Sequence, residues 1–260
     1  AVMAGFPRVY EIGPVFRAEL SHPSRHLCEF VGLDFEMEII NHYAEAMDIV
    51  EAFVVRLLDI LNGHAVAPSG AMRIPSNLAK ETAYFRQLGS NVRITHKEAI
   101  EMLQNIEASD PSVRNDDATP LAQGQDLSSA QERAVGACVK AQYKTDFFFL
   151  HRFPASVRPF YSMVCCDDET YSNTFDAYLH GQEICSGGQR IHDTCLLAKS
   201  MASYGVDPAS VQAYVDAFQY GAAPHAGAGL GLERLTMLLM GVDNIRECSL
   251  FPRDPKRLVP

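Results

Sequence analysis

The chain has 260 residues, with 22 Lys and Arg against 32 Asp and Glu, for a formal charge of −10. That acidity excludes a protein that grips polynucleotide by bulk charge, so any nucleic-acid contact must come from local basic patches or from another domain. Hydrophobic residues at 47% allow a sizeable core, no apolar run approaches the roughly 18 residues that cross a bilayer, and the start does not read as a signal peptide.

Residues 8–19 read as a strand that carries Gly13 and Pro14, and residues 29–40 as a second strand with strict alternation. Val31, Leu33, Phe35, Met37 and Ile39 fall on one face, and Phe30, Gly32, Asp34, Glu36 and Glu38 on the other. Residues 20–27 between them have no periodicity and suit a long hairpin loop. Helical spacing follows over 43–61, with Ala46, Ile49, Val50, Phe53, Leu57, Leu58 and Leu61 on the stripe and Gly63 as the stop. Residues 64–77 read as loop, Thr95 with Glu98 as a capping box, 109–126 as a polar loop and 129–143 as a helix.

In the second half, 146–151, 157–164 and 174–179 are strand candidates. Helices are expected at 193–204, 208–220 and 232–240, the last after a glycine-rich turn at 227–231. Strands and helices mix without regular βαβ alternation, which predicts an α+β fold: a mainly antiparallel sheet flanked by helices. Seven cysteines, an odd number with no CxxC, argue against a disulfide framework and a structural zinc site and for a reducing compartment.

Three stretches concentrate chemistry. Arg17 and Glu19 are two apart, followed by Arg25, His26, Glu29 and Phe30. Guanidinium forks suit phosphate and an aromatic ring suits a base, although charges on a strand face can equally be solvated. The second stretch, HGQEICSGGQRIHD, puts Glu183, Ser186 and Arg190 within eight residues, with Asp176 upstream. Glu183 with Asp176 or Ser186 can hold magnesium, and Arg190 can pair with a substrate carboxylate; a glycine-bearing turn with a surface ion pair is the plainer alternative. In the third, HAGAGLGLERLTMLLMG, glycines lead into a helix with Glu233 and Arg234 in its first turn. The macrodipole disfavours a cation there, so Arg234 suggests a phosphate-meeting task, against the alternative of a packed glycine turn.

Taken together, VFRAE with RHLCEFVGLDFEME resembles motif 2, and GAGLGLERLTMLLMG motif 3, of the class II aminoacyl-tRNA synthetases. RPFYSM, GQEICSGGQRIHD, APHAGAGLGLER, NVRITHKEAIEML and SLFPRDPKRLVP are similar to the aspartyl branch of archaeal and eukaryotic cytosolic type. The resemblance implies one catalytic domain over 1–260, with motif 2 at 9–40, a helical and loop insertion at about 62–145 and motif 3 at 225–241. It implies ATP and magnesium as cofactors. Aspartate and the acceptor end of tRNA(Asp) are the implied partners, in a homodimeric cytoplasmic enzyme with no membrane contact.

The resemblance also implies site roles. Arg17 would hold the α-phosphate and the aspartate carboxylate, and Arg234 would lie over adenine and reach the γ-phosphate, as the catalytic pair. Glu19 would meet the adenine amino group, and Phe30 would stack on the ring. Arg25 and His26 would touch the outer phosphates. Leu27, Glu183, Gly231, Leu232 and Glu233 complete the implied ATP set. Aspartate would be held by Arg17, Asp34, Ser186 and Arg190, and magnesium by Asp176, Glu183 and Ser186. Residues 20–24 would receive the tRNA end.

The family's anticodon-reading OB domain, motif 1 and a QSP-type segment that helps bind aspartate are not in this sequence. These 260 residues are therefore expected to be inactive or nearly so alone, and aspartate-dependent pyrophosphate exchange by them would refute that. The rival readings are an asparaginyl-tRNA synthetase, a non-catalytic paralogue used as a binding module, and an amide-forming ligase on the same fold.

Overall fold

The computed structural model describes residues 1–20, 22–61, 92–107, 113–115 and 121–259. The loop expected at 64–77 and much of that expected at 109–126 lie outside the described residues.

Among the described residues seven strands form one sheet: β1 (Arg8–Phe16), β2 (Glu29–Glu38), β3 (Arg93–Thr95), β4 (Phe147–His151), β5 (Thr174–Leu179), β6 (Gln182–Gln189) and β7 (His225–Gly231), in the order β1-β2-β7-β6-β5-β4-β3. All pairings are antiparallel except β3 with β4. The described helices are α1 (Ala44–Leu61), α2 (His96–Ile106), α3 (Ser129–Tyr143), α4 (Thr194–Ser203), α5 (Gln212–Phe218) and α6 (Leu232–Met240). The α+β expectation, an antiparallel sheet flanked by helices, holds.

One sheet face is apolar. Met37, Phe175, Ala177, Cys185, Ala226, Ala228 and Leu230 are buried there against Ala46, Met47, Val50, Val54 and Leu58 of α1. The α1 stripe is rotated from the expected one: Met47 and Val54 are buried, whereas Ile49 is 38% exposed. Leu61 has its side chain outside the described residues. At the far end of the other face, α2 and α3 bury Leu103, Val135 and Val139 on Phe148, Leu150 and Tyr178.

Local signals explain the helix ends. Thr95 and Glu98 form the expected reciprocal cap, with Glu98 N–H to Thr95 Oγ1 at 3.2 Å and Thr95 N–H to Glu98 Oε2 at 2.6 Å. Ser128 and Gln131 do the same for α3. Asp193 caps α4 by accepting from Leu196 N–H at 2.8 Å. The stretch expected as a helix at 208–220 starts as a 3-10 turn, Pro208–Val211, before α5.

Three expectations are corrected. Residues 157–164 form no strand: a 3-10 turn at Ala155–Val157 precedes two isolated bridges, Ser162 to Arg190 and Val164 to Ser172. Pro159, within the stretch, lacks the N–H a ladder needs. Arg17 and Glu19 lie beyond the end of β1, although Arg17 N–H still bonds Cys28 O at 2.9 Å. Residues 227–231 are not a turn but the second half of β7, paired on both sides.

The β7 glycines are explained by what lies over them. A Cβ on Gly227 would sit 2.2 Å from Glu36 Oε2, and one on Gly229 2.4 Å from Asp34 Oδ1. Side-chain-free positions let these carboxylates lie flat on the sheet. Gly187 is enclosed by backbone and core, since a Cβ would meet Gly227 O at 2.5 Å, Ala228 Cβ at 2.6 Å and Phe175 Cζ at 2.7 Å. Gly187→Ala is expected to cost about 1–3 kcal/mol because backbone and core must both shift, read as a lower midpoint in chemical denaturation.

Candidate active site

Register builds the site on the face opposite α1. Asp34, Gly229, Ser186 and Asp176 are successive cross-strand partners over β2, β7, β6 and β5, and Glu36, Gly227, Gly188 and Thr174 form the next row. Opposed residues in an antiparallel pair share a face, so each row presents its side chains together. Glu183 and Ser186 are three apart and would face opposite ways on a regular strand. A register shift between Ala177 and Tyr178 pairs Ala177 with Cys185 but Tyr178 with Glu183, skipping Ile184. This bulge re-aims Glu183 to the Asp176 face.

A cleft of about 310 Å³ opens over these rows. Arg17, Glu19, Arg25, His26, Leu27, Phe30, Asp34, Glu183, Ser186, Arg190, Gly231, Glu233 and Arg234 line it, so three distant segments meet in one pocket. Asp176 and Leu232 do not line it. Arg158, Tyr161 and Ser162 do, though none was singled out from sequence. Glu36, read only as one of several polar strand residues, anchors Arg190.

The cations differ in their partners. Arg190 donates from Nε to both Glu36 oxygens at 3.3 Å and from Nη2 to Oε2 at 3.2 Å. Arg158 grips Asp176 with both ends, at 3.2 and 2.5 Å, and lies 3.6 Å over the Phe153 ring. Arg234 reaches back from the first turn of α6 to Glu183, donating to its carbonyl at 3.1 Å and pairing with Oε1 at 3.5 Å. Arg25 pairs with Glu132 at 3.1 Å. Arg17 makes no ion pair among the described residues; its guanidinium lies 5.2 Å from the Phe30 ring centre.

The floor around these groups is braced. Phe30 packs on a small cluster of Leu27, Met237 and Ile245. Glu233 accepts Val31 N–H with both oxygens, at 3.1 and 2.9 Å, tying α6 to β2. His26 bonds Glu19 at 3.2 Å, and burial lowers the pKa of its ring. The C-terminal tail fastens the motif 2 loop. Asp254 takes Arg246 at 2.6 Å and His22 at 2.9 Å, while Arg246 also donates to Pro23 O at 3.2 Å. Hydrogen bonds, the one from Arg246 foremost, hold the Asp254 carboxyl far below the usual range.

Burial and the charge of Asp176 push Glu183 up to about 7, and burial with Glu11 nearby raises Asp34. A carboxyl so poised gains from a cation. Magnesium takes one or two carboxylates and completes its shell with phosphate and water. Glu183 is the carboxylate on the cleft that could take such an ion, while Arg158 claims both oxygens of Asp176 and also donates to Ser186 Oγ at 3.4 Å. Among the described residues no three His, Cys, Asp or Glu form a metal-ready group. Because burial and Asp176 raise Glu183, a divalent cation taken up there is expected to release more protons on binding at pH 6 than at pH 8.5. Calorimetry in buffers of different ionisation enthalpy reads this release, and Glu183→Gln should remove it.

The family model of class II tRNA synthetases (D, K and N) matches residues 1–255, and the chain belongs to this family. Within it, the chain is 44% identical over 260 residues to cytoplasmic aspartate–tRNA ligase 1 of Arabidopsis thaliana, covering all of this chain and 46% of that protein. The aspartyl-tRNA synthetase structure from Entamoeba histolytica superposes with a TM-score of 0.82 at 43% identity, covering 100% of this chain and 50% of that one. An asparaginyl-tRNA synthetase from Pyrococcus horikoshii, complexed with asparaginyl-adenylate, aligns at 0.78 and 28% identity, over 100% and 56% of the two chains. The chain thus spans about half the length of the relatives it matches.

Proposed function

We propose that the protein carrying this chain is a cytoplasmic aspartate–tRNA ligase, which joins aspartate to ATP and passes the aspartyl group to tRNA(Asp). The observation that carries the reading is the contrast among the cleft's arginines. Arg25, Arg158, Arg190 and Arg234 are each matched by a carboxylate, and Arg17 alone of these five is left for an anion.

The α-carboxylate of aspartate attacks the α-phosphorus of ATP, the bond to the bridging oxygen breaks, and pyrophosphate leaves. Arg17 meets the charge that builds on the α-phosphate and the attacking carboxylate. Phe30 and Arg234 sandwich adenine. Arg25 and His26 meet the outer phosphates. Arg190 selects the aspartate side chain, and Asp34 receives the amino group. Glu183, with Ser186, would hold a magnesium ion that would neutralise phosphate charge. The 3′-hydroxyl of the tRNA then attacks the aspartyl carbonyl and AMP departs. No side-chain nucleophile is needed; the protein positions the reactants and supplies charge.

The identity to aspartyl relatives exceeds that to asparaginyl ones, which supports aspartate as the substrate. Retention of the full arginine set speaks against a non-catalytic module. An amide-forming ligase would not need a loop for a tRNA end, and transfer to tRNA separates the two. The intact protein is proposed as a homodimer, with the outer face of the edge strand β1 as part of the contact. Tyr10, Ile12 and Phe16 stand there 77, 58 and 67% exposed, a row of apolar groups that gains from cover. The functional test is pyrophosphate exchange by the full-length protein with aspartate and with asparagine. Exchange with aspartate alone is expected; exchange with asparagine alone, or with neither, overturns the proposal.

A further inference from the structure

Glu132 stands in the first turn of α3, within the helical region between motifs 2 and 3, and no reading of the sequence gave it a role. It is 8% exposed. A buried carboxylate is costly unless it is paired and hydrogen-bonded. Glu132 is both: Oε2 accepts from Arg25 Nη1 at 3.1 Å, and Oε1 accepts from the Tyr178 hydroxyl at 3.3 Å. Tyr178 is itself buried on β5 and stacked on Phe148, with ring centres 5.1 Å apart and planes 11° from parallel. One oxygen is therefore fixed to the sheet and the other holds an arginine of the loop between β1 and β2.

The helix is placed to allow this. One turn beyond Glu132, Gly136 lies directly on Gly181 of the β5–β6 hairpin: a Cβ on Gly136 would stand 2.6 Å from Gly181 Cα. Gly181 has φ +69°, a conformation natural to glycine, and a Cβ there would meet Arg133 Cα at 2.9 Å. Two glycines back to back seat α3 against the hairpin, and that height brings Glu132 to Arg25.

Glu132 takes only Nη1 of Arg25. Arg25 itself lines the cleft. We propose that Glu132 is a positioning residue that aims Arg25 at the outer phosphates of ATP and so couples the helical region to the nucleotide site. The inference rests on the ATP-activating function proposed above. Loss of Glu132 frees a long side chain on an irregular loop, and the phosphates must then fix it at binding, at an entropic cost.

The test is a double-mutant cycle in the full-length protein with Glu132→Gln, Glu132→Ala, Arg25→Ala and Glu132→Ala/Arg25→Ala, read by aspartate-dependent pyrophosphate exchange and by thermal melts. Glu132→Ala is expected to raise KM for ATP about tenfold, with KM for aspartate unchanged, and Glu132→Gln, which keeps an acceptor, to recover most of that. The double variant should be no worse in KM for ATP than Arg25→Ala, because Glu132 acts through that side chain. Additive effects, an unchanged KM for ATP in Glu132→Ala, or tighter ATP binding in it would each overturn the proposal. If Glu132→Ala does not fold, Glu132→Gln against Arg25→Ala carries the cycle. Exchange activity in the wild type keeps the ligase reading standing whichever way the cycle falls.

Discussion

An Arg17→Ala enzyme is expected to lose ~10²- to 10³-fold in the rate of aspartyl-adenylate formation with little change in fold stability. The expectation follows from its surroundings. Arg17 lines the cleft and makes no ion pair among the described residues; it lies beside the Phe30 ring and its charge reaches Asp34 at longer range, so its removal breaks no salt bridge. What disappears is charge on the α-phosphate as it becomes five-coordinate, an interaction strongest in the transition state. The loss should therefore appear mainly in kcat rather than in KM. Arg17→Lys should recover part of the rate only, because an ammonium keeps the charge but not the fork that reaches two oxygens. Single-turnover formation of aspartyl-adenylate measures this. An alanine variant that keeps its rate would mean that the unpaired cation serves something else.

Arg190→Gln should have an effect of similar size in a different constant. Glu36 occupies Nε and Nη2, which fixes the plane of the guanidinium and leaves Nη1 for the substrate. Without Arg190, Glu36 and Asp34 remain as two acids beside the place of an acidic side chain. Attraction is thus replaced by repulsion, and kcat/KM for aspartate is expected to fall ~10²-fold or more while KM for ATP stays. Arg190→Gln/Glu36→Gln should regain part of the loss, since the repelling charge goes too. The preference for aspartate over asparagine should shrink in both variants. Exchange kinetics with each amino acid decide it; an unchanged preference would place side-chain recognition elsewhere.

Regular periodicity and local caps were legible in the sequence. The alternation of β2, the Thr95 cap and the bounds of α3, β5 and α6 follow from side chains near in sequence. The glycine run at 227–231 was misread as a turn because its reason is non-local: Asp34 and Glu36, almost two hundred residues earlier, need bare backbone beneath them. The stretch 157–164 fails for a related cause, since Phe160, Tyr161 and Met163 pack against the distant Ile191, Leu197, Met201 and Phe218 while only isolated bridges form. Motif wording brought the cleft residues together. It held Glu36 and Arg158 without a role: their pairing with Arg190 and Asp176, and that of Glu132 with Arg25, become visible only when register and helix height are known. The three-residue spacing of Glu183 and Ser186 hid a bulge that nothing in the local residues signals.

The most direct test of the central claim, that these segments build one pocket for aspartate joined to adenylate, is calorimetric titration of the full-length protein with a non-hydrolysable aspartyl-adenylate analogue and its asparaginyl counterpart. The aspartyl compound is expected to bind at least ~100-fold more tightly, with that advantage lost in Arg190→Gln. Equal binding of the two compounds, or none of either, would contradict the account.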